Sequence, residues 1–332
     1  MKRVLLTGLF ALCFAGLFAQ SKPINLRVEA RFDSQNEYVD GDMIEDNSGF
    51  KGKFINIRMD GDLGHGFTYS YRQRLNKAHS DQSYFDATDW LKLTYTTGNW
   101  SLSAGKQVVG IGGYEYDRAP IDTYNYSEYC SNIACYQIGV SAGYTTNDGK
   151  DNIMVQTTQS PFRANASDMY AYNIIWYGSH GWFNSIYSAN MIEYLPGKFI
   201  SYIVLGNKFN VGDFSLELDI MNRATDSHTY FGKDMSVIGE LSWTPTEQWR
   251  IFGKASYDVN NTDSDADYCV LPGTEITRVG IGVEHFLIKG SKDVRLHFNG
   301  HYTFGNNGNP SGALIDKQSM VDVGITWRVN IL

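Results

Sequence analysis

From Ile24 to the C-terminus the sequence alternates apolar and polar residues in segments of about ten, separated by turn residues. Side chains of an extended strand point alternately to opposite faces, so each such segment has one greasy face and one wet face. Leu26, Val28, Ala30 and Phe32 alternate with Arg27, Glu29, Arg31 and Asp33. Phe214, Leu216, Leu218 and Ile220 alternate with Ser215, Glu217 and Asp219, and near the end Val321, Val323, Ile325 and Trp327 alternate with Asp322, Gly324 and Thr326. No run of eighteen apolar residues and no sustained 3.6-residue period occurs after Ile24, which excludes membrane-spanning helices and a helical domain. About sixteen such segments can be counted, an even number, as in single-chain bacterial outer-membrane barrels. A mean hydropathy of −0.32 is compatible with such a barrel, because half of every strand is turned away from lipid.

The connections sort by length. Short ones include Leu63-Gly64-His65-Gly66, Gly98-Asn99, Asn147-Asp148-Gly149 and Val211-Gly212-Asp213, and they alternate with longer polar stretches at about 34–50, 78–86, 110–134, 160–168, 194–198, 224–233, 260–274 and 305–318. Tight turns at one rim and long loops at the other are expected of an outer-membrane barrel, whereas a β-sandwich has no reason to sort its loops in this way. Aromatic residues cluster near segment ends (Phe67, Tyr95, Trp100, Tyr144, Trp182, Trp243, Trp249, Trp327), as interfacial girdles require. The expected fold is therefore an all-β, transmembrane antiparallel β-barrel of about sixteen strands.

Lys2 and Arg3 precede an apolar stretch from Val4 to Phe18 that ends among the small residues Ala15, Gly16 and Ala19, the layout of a secretory signal peptide over residues 1–19. The barrel domain then covers 20–332. Removal of the leader takes the formal charge from −8 to −10, so the exported chain is acidic and no nucleic-acid partner is expected. Cys130, Cys135 and Cys269 remain. Cys130 and Cys135 are spaced to close a small loop or to stand as two free thiols, and no second pair or nearby histidines complete a zinc site.

The run Phe54-Ile55-Asn56-Ile57-Arg58-Met59-Asp60-Gly61, the segment Trp100-Ser101-Leu102-Ser103-Ala104-Gly105-Lys106-Gln107 and the following Tyr116-Asp117-Arg118-Ala119-Pro120 resemble the phosphate-selective porin O and P family. The resemblance implies a trimeric, sixteen-stranded porin of the Gram-negative outer membrane whose third long loop folds into the channel. Two departures stand out: the chain ends in Leu332 where such barrels commonly carry an aromatic residue, and it leaves little length for large loops.

Sixteen strands leave an aqueous lumen. With the apolar parity facing lipid, the early strands are expected to line it with a basic wall of Arg27, Arg31, Arg58, Arg72, Arg74 and Lys92, interspersed with Glu29, Asp33 and Asp60. The later strands are expected to supply an acidic wall of Glu217, Asp219, Glu240, Asp258 and Glu284, against Arg223, Arg250, Lys254 and Arg278. Loop 110–134, the longest, opens on Gly110, Gly112 and Gly113, which let a backbone turn sharply away from the wall, and carries Glu115, Asp117, Arg118 and Asp122 as constriction residues. Fixed charges of this kind set ion selectivity.

No P-loop, Rossmann spacing or nucleophile elbow occurs, and His297 and His301, four residues apart on one strand, are separated by about 13 Å, too far to share a metal ion. The sequence is thus read as a porin and not an enzyme, with no cofactor and no metal. Its partners are small hydrophilic solutes or anions, outer-membrane lipid and lipopolysaccharide, and two further copies of itself. Two alternatives use the same pattern: an oligosaccharide-specific channel with Trp90, Trp176 or Tyr177 in its lumen, and a non-conducting surface barrel.

Overall fold

A computed structural model describes residues 24–77, 83–162, 168–226 and 231–332. The expected signal peptide lies outside the described residues. Sixteen long strands form one antiparallel sheet among them: β1 (Asn25–Val39), β2 (Gly49–Gly64), β3 (Phe67–Arg74), β4 (Thr88–Thr97), β5 (Trp100–Val108), β6 (Tyr136–Thr145), β7 (Asp151–Gln159) and β8 (Tyr170–His180) make up the first half. The second half comprises β9 (Phe183–Leu195), β10 (Lys198–Val211), β11 (Phe214–Ala224), β12 (Asp234–Thr246), β13 (Trp249–Asn260), β14 (Thr274–Phe286), β15 (Val294–Asn306) and β16 (Gln318–Asn330). Asp42–Met43 adds a two-residue strand against the end of β1.

Each strand pairs with its sequence neighbours, and the sheet closes on itself because β1 also pairs with β16, from Arg27 opposite Asn330 to Val39 opposite Gln318. Closure leaves no sheet edge, the condition for strands to cross hydrocarbon with every backbone group bonded. Both described chain ends lie at one rim, where the Leu26 N–H donates to the Leu332 carbonyl at 3.2 Å, and the tight turns lie at that rim too. The longer connections gather at the opposite rim. One expected long connection, 194–198, proves to be a tight turn: only Pro196 and Gly197 separate β9 from β10, whose ladder runs up to Leu195 opposite Lys198.

The barrel is inside-out relative to a soluble fold. Leu91, Val140, Val155, Ile174, Leu241, Ile281 and Val323 are all exposed on its outer face, with Val140 58% and Ile281 63% accessible, while Asn56, Arg72, Asp219, Arg223 and Asp258 are buried inside. Apolar area of this extent cannot stay in water. Paired rings mark the tight-turn rim of the band, with Phe67 4.8 Å from Tyr95, Trp100 5.0 Å from Tyr144 and Phe214 stacked on Trp243. Amphipathic rings of this kind sit at headgroup level. Trp176 belongs to the outer face, beside its ladder partner Ile153.

A second, small apolar core lies within the barrel. Val109, Ile111, Tyr116, Tyr129 and Ile133, between β5 and β6, pack on Ile192, Ile200, Tyr202 and Val204 of β9 and β10, together with Ala266, Cys269 and Val270 from the β13–β14 connection. The sequence carries a trace of this patch: alternation lapses in Phe199-Ile200-Ser201-Tyr202-Ile203-Val204-Leu205, where both faces of β10 are apolar.

Candidate functional site

The segment between β5 and β6 begins with Gly112 and Gly113, both at φ +87°, a conformation that only glycine adopts without strain. It contains two short helical turns, α1 (Tyr114–Asp117) and α2 (Glu128–Asn132). Gly206 on β10 makes room for it, since a Cβ there would lie 2.9 Å from the Gly113 Cα.

Inward carboxylates of the later strands hold the segment. Asp219 accepts the Tyr114 and Glu115 N–H groups, both at 2.8 Å, and Asp258 accepts those of Glu128 at 3.0 Å and Tyr129 at 3.4 Å. Each carboxylate therefore caps the exposed donors at the start of a helical turn, and charge-assisted bonds of this kind are worth roughly 1.5–3 kcal/mol apiece. Glu284 accepts the Tyr124 hydroxyl at 2.7 Å, and Lys254 reaches Glu115 at 2.6 Å. Arg118 pairs with Glu217 and, at 2.6 Å, with Glu240; Asp122 pairs with Arg295 and with Arg328, both at 2.6 Å. Burial tends to raise the Asp122 pKa, but the two guanidiniums outweigh it and hold the carboxyl below its ordinary value.

These contacts join into one chain of alternating charge along the inner wall. Lys208, Glu217, Arg118, Glu240, Arg250, Glu284, Arg295, Asp122, Arg328 and Glu29 follow one another, each ion-paired to the next. Five cations and five anions cancel. All five residues expected in the acidic wall thus lie inside the barrel, yet each is taken up by the inserted segment or by an arginine.

The basic wall divides. Arg58, Arg72, Arg74 and Lys92 line a cavity of about 1190 Å³ between the segment and the early strands. Arg58 pairs with Asp60 at 2.7 Å, whereas Arg72 and Arg74 share the single carboxylate of Asp89, at 2.8 and 3.2 Å. Arg31 is buried and spent: it forks onto Asp33 and donates to the Thr123 carbonyl at 2.9 Å. Arg27 donates to Asn330 at 2.8 Å near the tight-turn rim. Of the constriction residues, Glu115, Asp117 and Arg118 line the cavity and Asp122 does not. Trp90 and Tyr177 line it as well.

Two cavity cations escaped the sequence reading. Lys77 follows β3, and Lys106 falls on the parity that places Trp100, Leu102 and Ala104 outside. Gly105 breaks that parity at φ +127°, where a Cβ would meet the Leu91 carbonyl oxygen at 2.2 Å. Lys106 is buried although its ladder partners Leu91 and Ile138 are exposed, and its Nζ donates to the Phe85 carbonyl at 2.7 Å. Among the described residues no carboxylate lies within ion-pair distance of Lys77, Lys92 or Lys106. Asp86 and Asp117 also face the cavity, Asp117 accepting the Tyr177 hydroxyl at 3.4 Å.

Asp33, His297 and Asp322 bring one possible metal-ligand atom each within 4.8 Å of one another. The Arg31 guanidinium already supplies a cation there, 2.7 Å from Asp33, and the imidazole Nε2 lies 3.0 Å from the same carboxylate. Cys130, Cys135 and Cys269 are free thiols.

Comparison with known proteins gives the fold and a family match over part of the chain. The barrel superimposes on an anion-selective porin from Comamonas acidovorans with a TM-score of 0.68 at 14% identity, covering 93% of this chain and 100% of that one. The outer-membrane channel DcaP of Acinetobacter baumannii gives 0.65 at 11% identity over 92% and 97% of the two chains, and the trimer form of OmpT from Vibrio cholerae gives 0.64 at 11% over 92% and 99%. No curated protein matches by sequence. The model of the family "Phosphate-selective porin O and P" matches residues 24–181. Residues 24–181 thus match the phosphate-selective porin O and P family, and the chain as a whole has the closed sixteen-stranded barrel fold of outer-membrane porins.

Proposed function

We propose that this porin passes small hydrophilic solutes by diffusion, performs no chemistry on them, and prefers anions. The carrying observation is how charge is shared inside the barrel: Glu217, Glu240 and Glu284 of the acidic wall are ion-paired, Asp219 and Asp258 are occupied by segment N–H groups, and none of the five lines the open cavity, whereas Lys77, Lys92, Lys106 and the surplus guanidinium of the Arg72–Arg74–Asp89 group do. Asp86 and Asp117 offset part of that charge and leave an excess of about two positive charges. The segment 110–134 is the constriction in this reading, because its docking on the later strands confines solute to the remaining space. The anion selectivity named for the Comamonas porin supports the same preference.

The test is the zero-current potential of the purified protein in a planar bilayer under a KCl gradient. A potential toward the chloride equilibrium value is expected, and one toward the potassium value refutes the proposal. We also read the protein as a homotrimer in contact with lipid and lipopolysaccharide, supported by the trimer form of OmpT and the exposed apolar band. Its mass in mild detergent, measured by light scattering with the detergent subtracted, should be three times that of one chain.

A further inference from the structure

The cavity is not polar all round. The unpaired lysines lie on or beside its strand side, whereas the inserted segment, beyond Glu115, Asp117 and Arg118, presents an uncharged patch of Ala119, Pro120, Tyr126, Ile133 and Ala134. Rings join the two sides. The Arg72 guanidinium lies 3.9 Å from the centre of the Trp90 indole and donates to the Tyr136 hydroxyl. The Trp90 Nε1–H is tied to Ser70 at 2.7 Å, which fixes the indole plane. Lys106 lies 4.6 Å from the centre of the Phe85 ring.

A hydrated inorganic ion is attracted by the cations alone and gains nothing from the alanine, proline and isoleucine surface. An anion with an apolar body gains from both, because its charged group can meet a lysine or arginine while its body leaves water against the segment. We infer that the lumen holds a binding site for organic anions that join one negative group to a compact apolar or aromatic body, and that it favours them over small anions of equal charge. This deepens the anion preference proposed above and rests on it. A phenyl group exposes roughly 100 Å² more apolar surface than a methyl group, and burying half of that difference at ~25 cal/mol per Å² corresponds to about tenfold in occupancy.

The experiment uses the full-length protein in planar bilayers and measures block of the chloride current by benzenesulfonate and by methanesulfonate. Both are strong acids, so neither changes charge or enters the membrane in neutral form. The half-blocking concentration of benzenesulfonate is expected to be about tenfold lower, and equal block by the two overturns the inference. The double variant Ala119→Asn/Ala134→Asn puts amides on the apolar side without altering charge, and should bring the two sulfonates within about twofold. A variant that keeps the tenfold difference also overturns it. The wild-type comparison decides alone where the variant does not assemble. A channel that prefers potassium yet distinguishes the sulfonates refutes the proposed ion preference and leaves the ring effect standing. An anion-preferring channel blind to the ring does the reverse.

Discussion

Replacing Lys77, Lys92 and Lys106 together by glutamine removes three positive charges and should invert the ion preference. A sphere with the cavity's 1190 Å³ has a radius of about 6.6 Å, so an ion at its centre interacts with each lysine by roughly 0.6 kcal/mol at the dielectric constant of water. Screening at 0.1 M salt, with a Debye length of about 10 Å, reduces this to roughly 0.3 kcal/mol each, or about 1 kcal/mol for the three. Chloride entry should then fall about fivefold and potassium entry rise by the same factor, moving the permeability ratio about 25-fold. At 1 M salt the Debye length is about 3 Å and the shift should shrink to about twofold. The assay is the zero-current potential at both salt concentrations. The control is Arg72→Gln/Asp89→Asn, which removes an ion pair and no net charge and should move the ratio far less. A triple variant within twofold of wild type at 0.1 M, or a control that shifts the ratio as much, refutes the reasoning.

Further outcomes follow from the same geometry. Asp219→Ala/Asp258→Ala removes the acceptors of four segment N–H groups, several kcal/mol of docking at roughly 1.5–3 kcal/mol each, and should raise single-channel conductance and current noise; an unchanged conductance means that other contacts hold the segment. Arg223→Ala leaves Asp234 and Asp267 facing each other without their shared cation, and should cost about 3–5 kcal/mol, read as a lower temperature for loss of the compact form on mild-detergent gels. Burial raises the Asp117 carboxyl above its ordinary value, with the Tyr177 hydroxyl opposing, so it ionises as pH rises through a range above that of free aspartate. Each ionised Asp117 adds a negative charge to the cavity, so anion preference should weaken with rising pH, and Asp117→Asn should flatten that dependence.

Two-residue alternation made the barrel legible, because a lipid-facing strand has no other way to satisfy both solvents. Arg58, Arg72, Arg74 and Lys92, which parity turns inward, lie on the cavity, and Glu217 through Glu284 lie inside the barrel. What parity could not carry was pairing. Arg31 is far from Thr123 in sequence and Arg118 far from Glu240, and only the folded segment shows that these charges are spent on docking. Lys106 was invisible for a local reason, since one glycine at positive φ reverses the alternation that the reading depends on. The stretch 194–198 reads as a long connection in sequence, but β9 and β10 run right up to Pro196-Gly197, leaving a tight turn.

The seam between β1 and β16 has a consequence for biogenesis. Residues near the start of the barrel find their ladder partners only in the last stretch to be synthesised, so no N-terminal fragment, however long, can complete the cylinder. Until that final rung is in place the unfinished sheet offers bare amides to oil, and entry into the bilayer must therefore coincide with the joining of first strand to last.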